Sequence, residues 1–310
     1  MDIFVTLDLT ERQMARLREV SGTDRLHVHD LYADDAPLES DFAVAEVAFG
    51  PVPPDWLART PALRWLQLES VGFNQYRGLD WPRLGRQIAV TNLAGFFAAP
   101  VAETALAGIL ALYRGLDRLL PLQAAKDWVG DALRPELRVL AGAKVVLFGR
   151  GAINRHLAGL LEPFGCAITG FGRDWTAEAL DAALAEADIL VSTVPETDAT
   201  IGVFDAARLA RLKPTALFVN LGRGSVIDEA ALASCLAEGR LAGAVLDVTL
   251  EEPLPTDHPF WSSPNTILTQ HSGGGSDDET DRKIEVFAEN LARYRAGEPL
   301  AGLVDFAKGY

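Results

Sequence analysis

The chain has 310 residues, 49% of them hydrophobic and 23% charged, which fits two globular domains at ~150 residues each. Twenty-eight basic against 43 acidic residues leave a formal charge of −15, so a polyanion such as nucleic acid is not expected as a partner, because it needs clustered cations. A small anionic substrate stays open, since one or two local arginines can hold it.

In chain order, MDIFVTLDL reads as a first strand at 3–7 rather than a secretory leader, because acids flank a short apolar run. Further strands are predicted at 44–49, 65–68, 88–91, 144–148, 167–171, 189–193, 216–220, 244–247 and 266–269. Between them, 3.6-residue spacing predicts helices at 12–20, 101–112, 153–161, 179–185 and 229–237, with a last one at 281–294. This alternation implies parallel sheets built from right-handed βαβ units. The expected fold is α/β: two Rossmann-like or flavodoxin-like doubly wound domains with a ligand cleft between them. Residues 1–93 plus 275–310 are assigned to a substrate domain and 94–274 to a dinucleotide-binding domain. No apolar stretch approaches the ~20 residues of a membrane span, so a soluble cytoplasmic protein is expected. Cys166 and Cys235 give neither a disulfide framework nor a zinc spacing, and no metal site is expected.

The first chemical motif is the turn Gly149-Arg150-Gly151-Ala152-Ile153-Asn154, between an apolar strand and an amphipathic helix. Gly149 permits a tight turn, and Gly151 lets the backbone approach a pyrophosphate at the helix N-terminus. Asn154 stands where a third glycine would allow close packing, so the helix is expected slightly farther from the strand. About 20 residues on, a dinucleotide fold usually places an acid for the ribose hydroxyls. Here TGFGRDW has Gly172 at that position, followed by Arg173 and Asp174. Arg173 suits a 2′-phosphate, so NADP(H) is expected to be preferred with NAD(H) usable; in the other reading Asp174 takes the ribose.

Four later segments (187–202, 216–228, 243–255 and 266–275) place polar residues past the carboxyl ends of strands. Val194, Pro195, Thr200, Leu221, Gly222 and Gly273 are the candidate cofactor contacts there. The same edge gathers Arg223, Glu252 and His271. Reduction of a 2-oxo acid needs these three types: a guanidinium for the carboxylate and ketone, an imidazolium to donate the proton, and a carboxylate to hold the imidazole. Glu251 competes with Glu252 for the last role.

These segments resemble the D-isomer-specific 2-hydroxyacid dehydrogenases over nearly the whole chain. NLGRG carries Arg223, DVTLEEPLP carries Glu252 before proline, and TQHSGG carries His271. The resemblance implies that LESVGFNQY binds the substrate carboxylate through the amides of Val71 and Gly72. It also implies that Asp247 contacts the nicotinamide carboxamide. DVTLEEPLPTDHPFW and the terminal VDFAKGY are similar to the glyoxylate/hydroxypyruvate reductases within the family. PVAETALAGILALYR looks like the family's dimer helix, so a homodimer through residues 101–113 is expected, with Trp128 either closing a partner's site or packing in its own subunit. The departures are Asn154, Gly172 and Gln270, the last in place of a usual proline before the histidine.

The reading is therefore NAD(P)H-dependent reduction of a small 2-oxo acid to the D-2-hydroxy acid. Two alternatives share the fold. A nucleotide-sensing regulator would bind cofactor and turn over slowly. A phosphoglycerate-type dehydrogenase would need a basic cluster for the substrate phosphate and often a regulatory tail domain, neither of which is expected here.

Overall fold

The computed structural model describes residues 1–29 and 38–306. Residues 307–310, which carry the end of the VDFAKGY motif, lie outside the described residues. The chain divides into two compact units, Met1–Phe96 with Ser276–Tyr310, and Phe97–Gly275.

The first unit holds strands β1 (Asp2–Val5), β2 (Arg25–Val28), β3 (Val47–Phe49), β4 (Trp65–Gln67) and β5 (Ala89–Thr91). They form a parallel sheet in the order β2-β1-β3-β4-β5. Side chains alternate across it. Phe4, Ala48, Leu66 and Val90 face one core with Phe42 and Tyr76; Ile3, Val5, Val47, Phe49 and Trp65 face the other. Both faces are buried, which is why these strands read as continuous apolar runs. Helices α1 (Glu11–Ser21), α2 (Leu38–Val44), α3 (Pro54–Arg59) and α4 (Trp81–Leu84) connect the strands. A capping box between Thr10 and Gln13 starts α1. The C-terminal helix Glu279–Ala296 completes the second core, where Phe287 stacks on Phe49 at 4.4 Å and on Trp65 at 5.3 Å. The predicted strand at 44–49 begins only at Val47, because its first residue ends α2.

The second unit opens with helices α5 (Ala98–Tyr113) and α6 (Leu116–Ala125). Strands β6 (Lys144–Phe148), β7 (Ala167–Phe171), β8 (Ile189–Ser192), β9 (Leu217–Asn220), β10 (Gly243–Leu246) and β11 (Thr266–Leu268) follow, with α7 (Ala152–Leu161), α8 (Ala177–Glu186), α9 (Ala206–Leu209) and α10 (Glu229–Ala237) between them. The sheet is parallel, in the order β11-β10-β9-β8-β6-β7. The order of connection across the sheet reverses between β6 and β8, the switch point beside which such sheets bind ligands at their carboxyl edge. Val145, Leu147, Val191, Val219 and Val245 pack against α5 and α7. Gly108 lets α5 approach the sheet; a Cβ there would lie 2.6 Å from Val245. Among the described residues, no helix is long and apolar enough to cross a membrane.

Candidate active site

The β6–α7 turn is built as its glycines require. Gly149 has φ +113°, a conformation that side-chain-bearing residues rarely adopt. Its N–H still donates to the Phe171 carbonyl at 2.9 Å, keeping β6 and β7 paired to their ends. A Cβ on Gly151 would meet nothing within 4 Å. The leading N–H groups of α7, at Ala152 and Ile153, have no partner inside the helix and are suited to an anion. Asn154 is 2% exposed, and its Nδ2 donates to the Phe148 carbonyl at 3.3 Å and the Gly149 carbonyl at 2.8 Å. It therefore ties the helix to the strand end, a role the spacing alone did not reveal. The Asn154 Oδ1, Ser192 Oγ and Thr193 Oγ1 atoms are buried with no hydrogen-bond partner among the described residues. Open glycine backbone beside orphaned polar atoms fits a bound dinucleotide.

At the end of β7 the two readings of TGFGRDW meet a third residue. Asp174 is turned toward Arg150, whose Nη1 lies 3.2 Å and 3.3 Å from its two carboxylate oxygens. Arg173 is exposed beside them. Farther along, Gly222 sits against the backbone of Val194, and a Cβ there would come 2.7 Å from the Val194 carbonyl oxygen. Pro195 is exposed, whereas the Thr200 hydroxyl donates to the Pro195 carbonyl at 2.7 Å and so closes its own loop.

Arg223, Glu252 and His271 follow β9, β10 and β11, three adjacent parallel strands, and so share the carboxyl edge of the sheet. His271 Nδ1 lies 2.7 Å from Glu252 Oε2. An ionised carboxylate can only accept, so it places a proton on Nδ1 and directs Nε2 outward. The Thr249 N–H donates to the other oxygen, Glu252 Oε1, at 3.0 Å. Glu252 rather than Glu251 is thus the histidine's partner; Glu251 offers its backbone carbonyl to the Thr249 hydroxyl at 2.7 Å. Behind this loop Glu229 accepts from the Leu250 N–H at 2.7 Å and lies 3.4 Å from His258.

Two buried residues that sequence reasoning assigned elsewhere or passed over hold the other parts. Asn220, fully buried at the end of β9, accepts from the Gly222 N–H at 3.2 Å and donates to the Arg223 carbonyl at 3.0 Å. Asp247, 5% exposed, accepts from the Thr269 hydroxyl at 2.6 Å and the Gly273 N–H at 3.0 Å through one oxygen. Its backbone carbonyl receives the His271 N–H at 2.6 Å. The histidine turn is therefore organised by Asp247. Polar residues closing apolar strands, as in FVN and AVLD, were the available signal. Gln270 and His271 both adopt left-handed conformations, φ +54° and +55°. The absent proline thus reflects a turn that proline cannot enter.

Val71 and Gly72 belong to the first unit, in the loop after β4. Ser70 Oγ donates to the Gly72 carbonyl at 3.0 Å and Asn92 Nδ2 to the Val71 carbonyl at 2.9 Å. The two carbonyls are held this way, while the two amide N–H groups have no hydrogen-bond partner among the described residues.

The model of the D-isomer specific 2-hydroxyacid dehydrogenase NAD binding domain matches residues 106–273, more than half the chain. The chain belongs to the D-isomer specific 2-hydroxyacid dehydrogenases. Among relatives of this dehydrogenase, a glyoxylate reductase from Thermofilum pendens is 33% identical over 262 residues, 79% of this chain and 76% of that protein. A solved D-isomer specific 2-hydroxyacid dehydrogenase from Xanthobacter autotrophicus Py2, in complex with NADPH and MES, superposes with a TM-score of 0.81 at 28% identity, covering 99% of each chain. An NADPH-dependent glyoxylate/hydroxypyruvate reductase from Sinorhizobium meliloti, in complex with NADP and sulfate, gives 0.82 at 25% identity, again over 99% of each. The dehydrogenase is thus an NAD(P)-dependent oxidoreductase with two parallel-sheet α/β units, as its sequence led one to expect.

Proposed function

We propose that this dehydrogenase reduces a small 2-oxo acid of the glyoxylate or hydroxypyruvate type to the D-2-hydroxy acid, preferring NADP(H) and accepting NAD(H). The observation that carries the reading is the 2.7 Å contact between His271 Nδ1 and Glu252 on the edge that also bears Arg223. Relatives named glyoxylate reductase and neighbours solved with NADPH or NADP support it.

The turn at Gly149, Arg150, Gly151, Ala152 and Ile153 would hold the cofactor pyrophosphate, and Leu221, Gly222, Val194 and Gly273 the rest of its length. When bound, the nicotinamide supplies the hydride. The protein's share is to bind and polarise the ketone. The Val71 and Gly72 amides take the substrate carboxylate, and the Arg223 guanidinium binds the carboxylate and ketone oxygen. His271, protonated on both nitrogens, gives its Nε2 proton to that oxygen and keeps the Nδ1 proton on Glu252. Negative charge grows on the oxygen only in the transition state, so Arg223 and His271 act on turnover more than on binding.

We further propose a homodimer. The apolar residues of α5, including Val101, Ala105 and Ile109, are buried in their own unit. Exposed apolar surface lies instead just beyond, at Leu116, Leu119 and Leu120 of α6 and at Trp128, which is 93% exposed and so does not pack within its own chain. A second copy would cover these exposed apolar side chains.

A panel of 2-oxo acids assayed with NADPH and NADH tests the activity. Glyoxylate and hydroxypyruvate should rank highest in kcat/KM, with NADPH favoured. Cofactor binding without turnover on any 2-oxo acid would favour the nucleotide-sensing alternative.

A further inference from the structure

We propose that Arg150, the residue between the two glycines of the phosphate turn, selects for a 2′-phosphate on the cofactor's adenosine ribose. Asp174 is then the counter-ion it exchanges for that phosphate. The inference rests on the reading that the second unit favours NADP(H), and it names the residues responsible.

The argument begins with space. Gly172 ends the β7 segment where an acid would normally meet the ribose hydroxyls. Its φ lies outside the left-handed region, so its backbone would accept a side chain. The room is nevertheless taken: a Cβ at 172 would lie 3.0 Å from Arg150 Cδ and 3.0 Å from Asp174 Oδ1. To admit a side chain at 172, Arg150 and Asp174 would have to give by a few tenths of an ångström. With glycine at 172, the guanidinium lies over that space and no carboxylate extends from the position.

Anchoring is the second part. Arg150 Nη2 donates to the Gly170 carbonyl at 3.0 Å. β7 is the edge strand of its sheet, so an outward carbonyl is available for this bond. The side chain thus crosses the carboxyl ends of β6 and β7 and lies beside the residue facing the ribose. Its remaining terminal nitrogen, Nη1, is on Asp174.

The third part is how easily that pairing yields. Arg150 and Asp174 side chains are 59% and 74% exposed, and ion pairs in such surroundings hold weakly. A 2′-phosphate carries nearly two charges and three acceptor oxygens, and it can take both guanidinium N–H edges at once. It would replace the carboxylate while the bond to Gly170 is kept or given up. Asp174 then hinders phosphate binding instead of holding the ribose, which makes its removal a gain.

The test uses fragments that need no catalysis: 2′,5′-ADP, and 5′-AMP, which lacks only the 2′-phosphate, titrated calorimetrically into the 310-residue chain. The wild type should bind 2′,5′-ADP about ten-fold more tightly than 5′-AMP. Arg150→Gln should remove that difference, so that the two fragments bind alike, and thermal melting of the variant checks that it is folded. Asp174→Asn should tighten 2′,5′-ADP about two- to five-fold and leave 5′-AMP unchanged. In the double variant the Asp174→Asn gain should vanish, because no guanidinium remains to be freed. No discrimination by the wild type would defeat the NADP(H) reading itself. Discrimination that survives Arg150→Gln but falls in Arg173→Ala would overturn this proposal alone. So would an Asp174→Asn variant that binds 5′-AMP more weakly, since Asp174 would then be the ribose acceptor.

Discussion

Gln270→Pro is the most demanding test of the catalytic turn, because related dehydrogenases are expected to carry proline there. The proline ring fixes φ near −65°, whereas Gln270 has φ +54°. The substituted chain cannot keep the observed turn. Three bonds that define it must move: His271 N–H to the Asp247 carbonyl at 2.6 Å, and Thr269 and Gly273 to the Asp247 carboxylate at 2.6 and 3.0 Å. At about 1 kcal/mol each, and more for bonds to a charged acceptor, the loss is about 3–5 kcal/mol. For a unit of this size that lowers Tm by roughly 6–20 °C. Displacing the His271 ring by about 1 Å should cost on the order of 10²-fold in kcat. Gln270→Gly is the control: it relieves left-handed strain of about 1–2 kcal/mol and loosens the unfolded chain by a comparable amount, so Tm and kcat should hardly change. Thermal melting and kcat at saturating cofactor measure both effects. A Gln270→Pro enzyme with wild-type Tm and turnover would show that residue 270 is not left-handed and that Asp247 does not organise the turn.

His271→Ala should lower kcat by about 10²–10⁴-fold while calorimetric cofactor affinity persists; near wild-type turnover would remove His271 from the reaction. Asn220→Asp exchanges the Nδ2 donor to the Arg223 carbonyl for a carboxylate oxygen, so KM for the 2-oxo acid and kcat should both worsen without loss of cofactor binding; unchanged steady-state constants would mean that Asn220 does not position Arg223. Leu120→Glu puts a charge on the exposed apolar patch, and light scattering should show a monomer where the wild type is a dimer at micromolar concentration; a fully active wild-type monomer would end the dimer proposal. Burial pushes the Asp188 carboxyl up, but the Lys144 N–H and the Lys213 ammonium outweigh it and leave its pKa below the usual carboxylate value. Its stabilising contribution is therefore present above the unfolded value of about 4 and lost as pH falls through the depressed folded value. Urea unfolding of Asp188→Asn should show a deficit at pH 7 that shrinks progressively as pH falls below about 4; a deficit independent of pH would mean the carboxylate charge is not what matters.

Strands in the middle of a sheet were legible because little that is polar interrupts them. The run at Lys144–Phe148 coincides with its predicted limits, and Ile189–Ser192 stops one residue short of them. Arg25–Val28 was not legible, since RLHV places a charge and a histidine in a half-exposed edge strand and leaves too little apolar signal. The helix Leu116–Ala125 hid behind its internal Pro121. At the site, residue types suited to the chemistry could be named from strand ends, because parallel strands bring all such ends to one edge. What spacing could not reveal was which polar side chain holds which backbone group. Asn154, Asn220 and Asp247 act through hydrogen bonds whose partners lie across a turn or beyond a neighbouring strand. The Arg150–Asp174 pairing likewise joins residues 24 positions apart.

The first unit is discontinuous in sequence, and this has a consequence for how the protein is made. Its second core closes only when Phe287 arrives to stack on Phe49 and Trp65. On a ribosome these strands emerge well before the helix Glu279–Ala296, which is encoded only after the whole of Phe97–Gly275. The contiguous segment Phe97–Gly275 meets no such delay, and domains of this kind fold as units during synthesis. The nascent chain should therefore complete its dinucleotide-binding unit first, while the apolar, strand-rich segment Met1–Phe96 depends on chaperones until the helix Glu279–Ala296 has emerged.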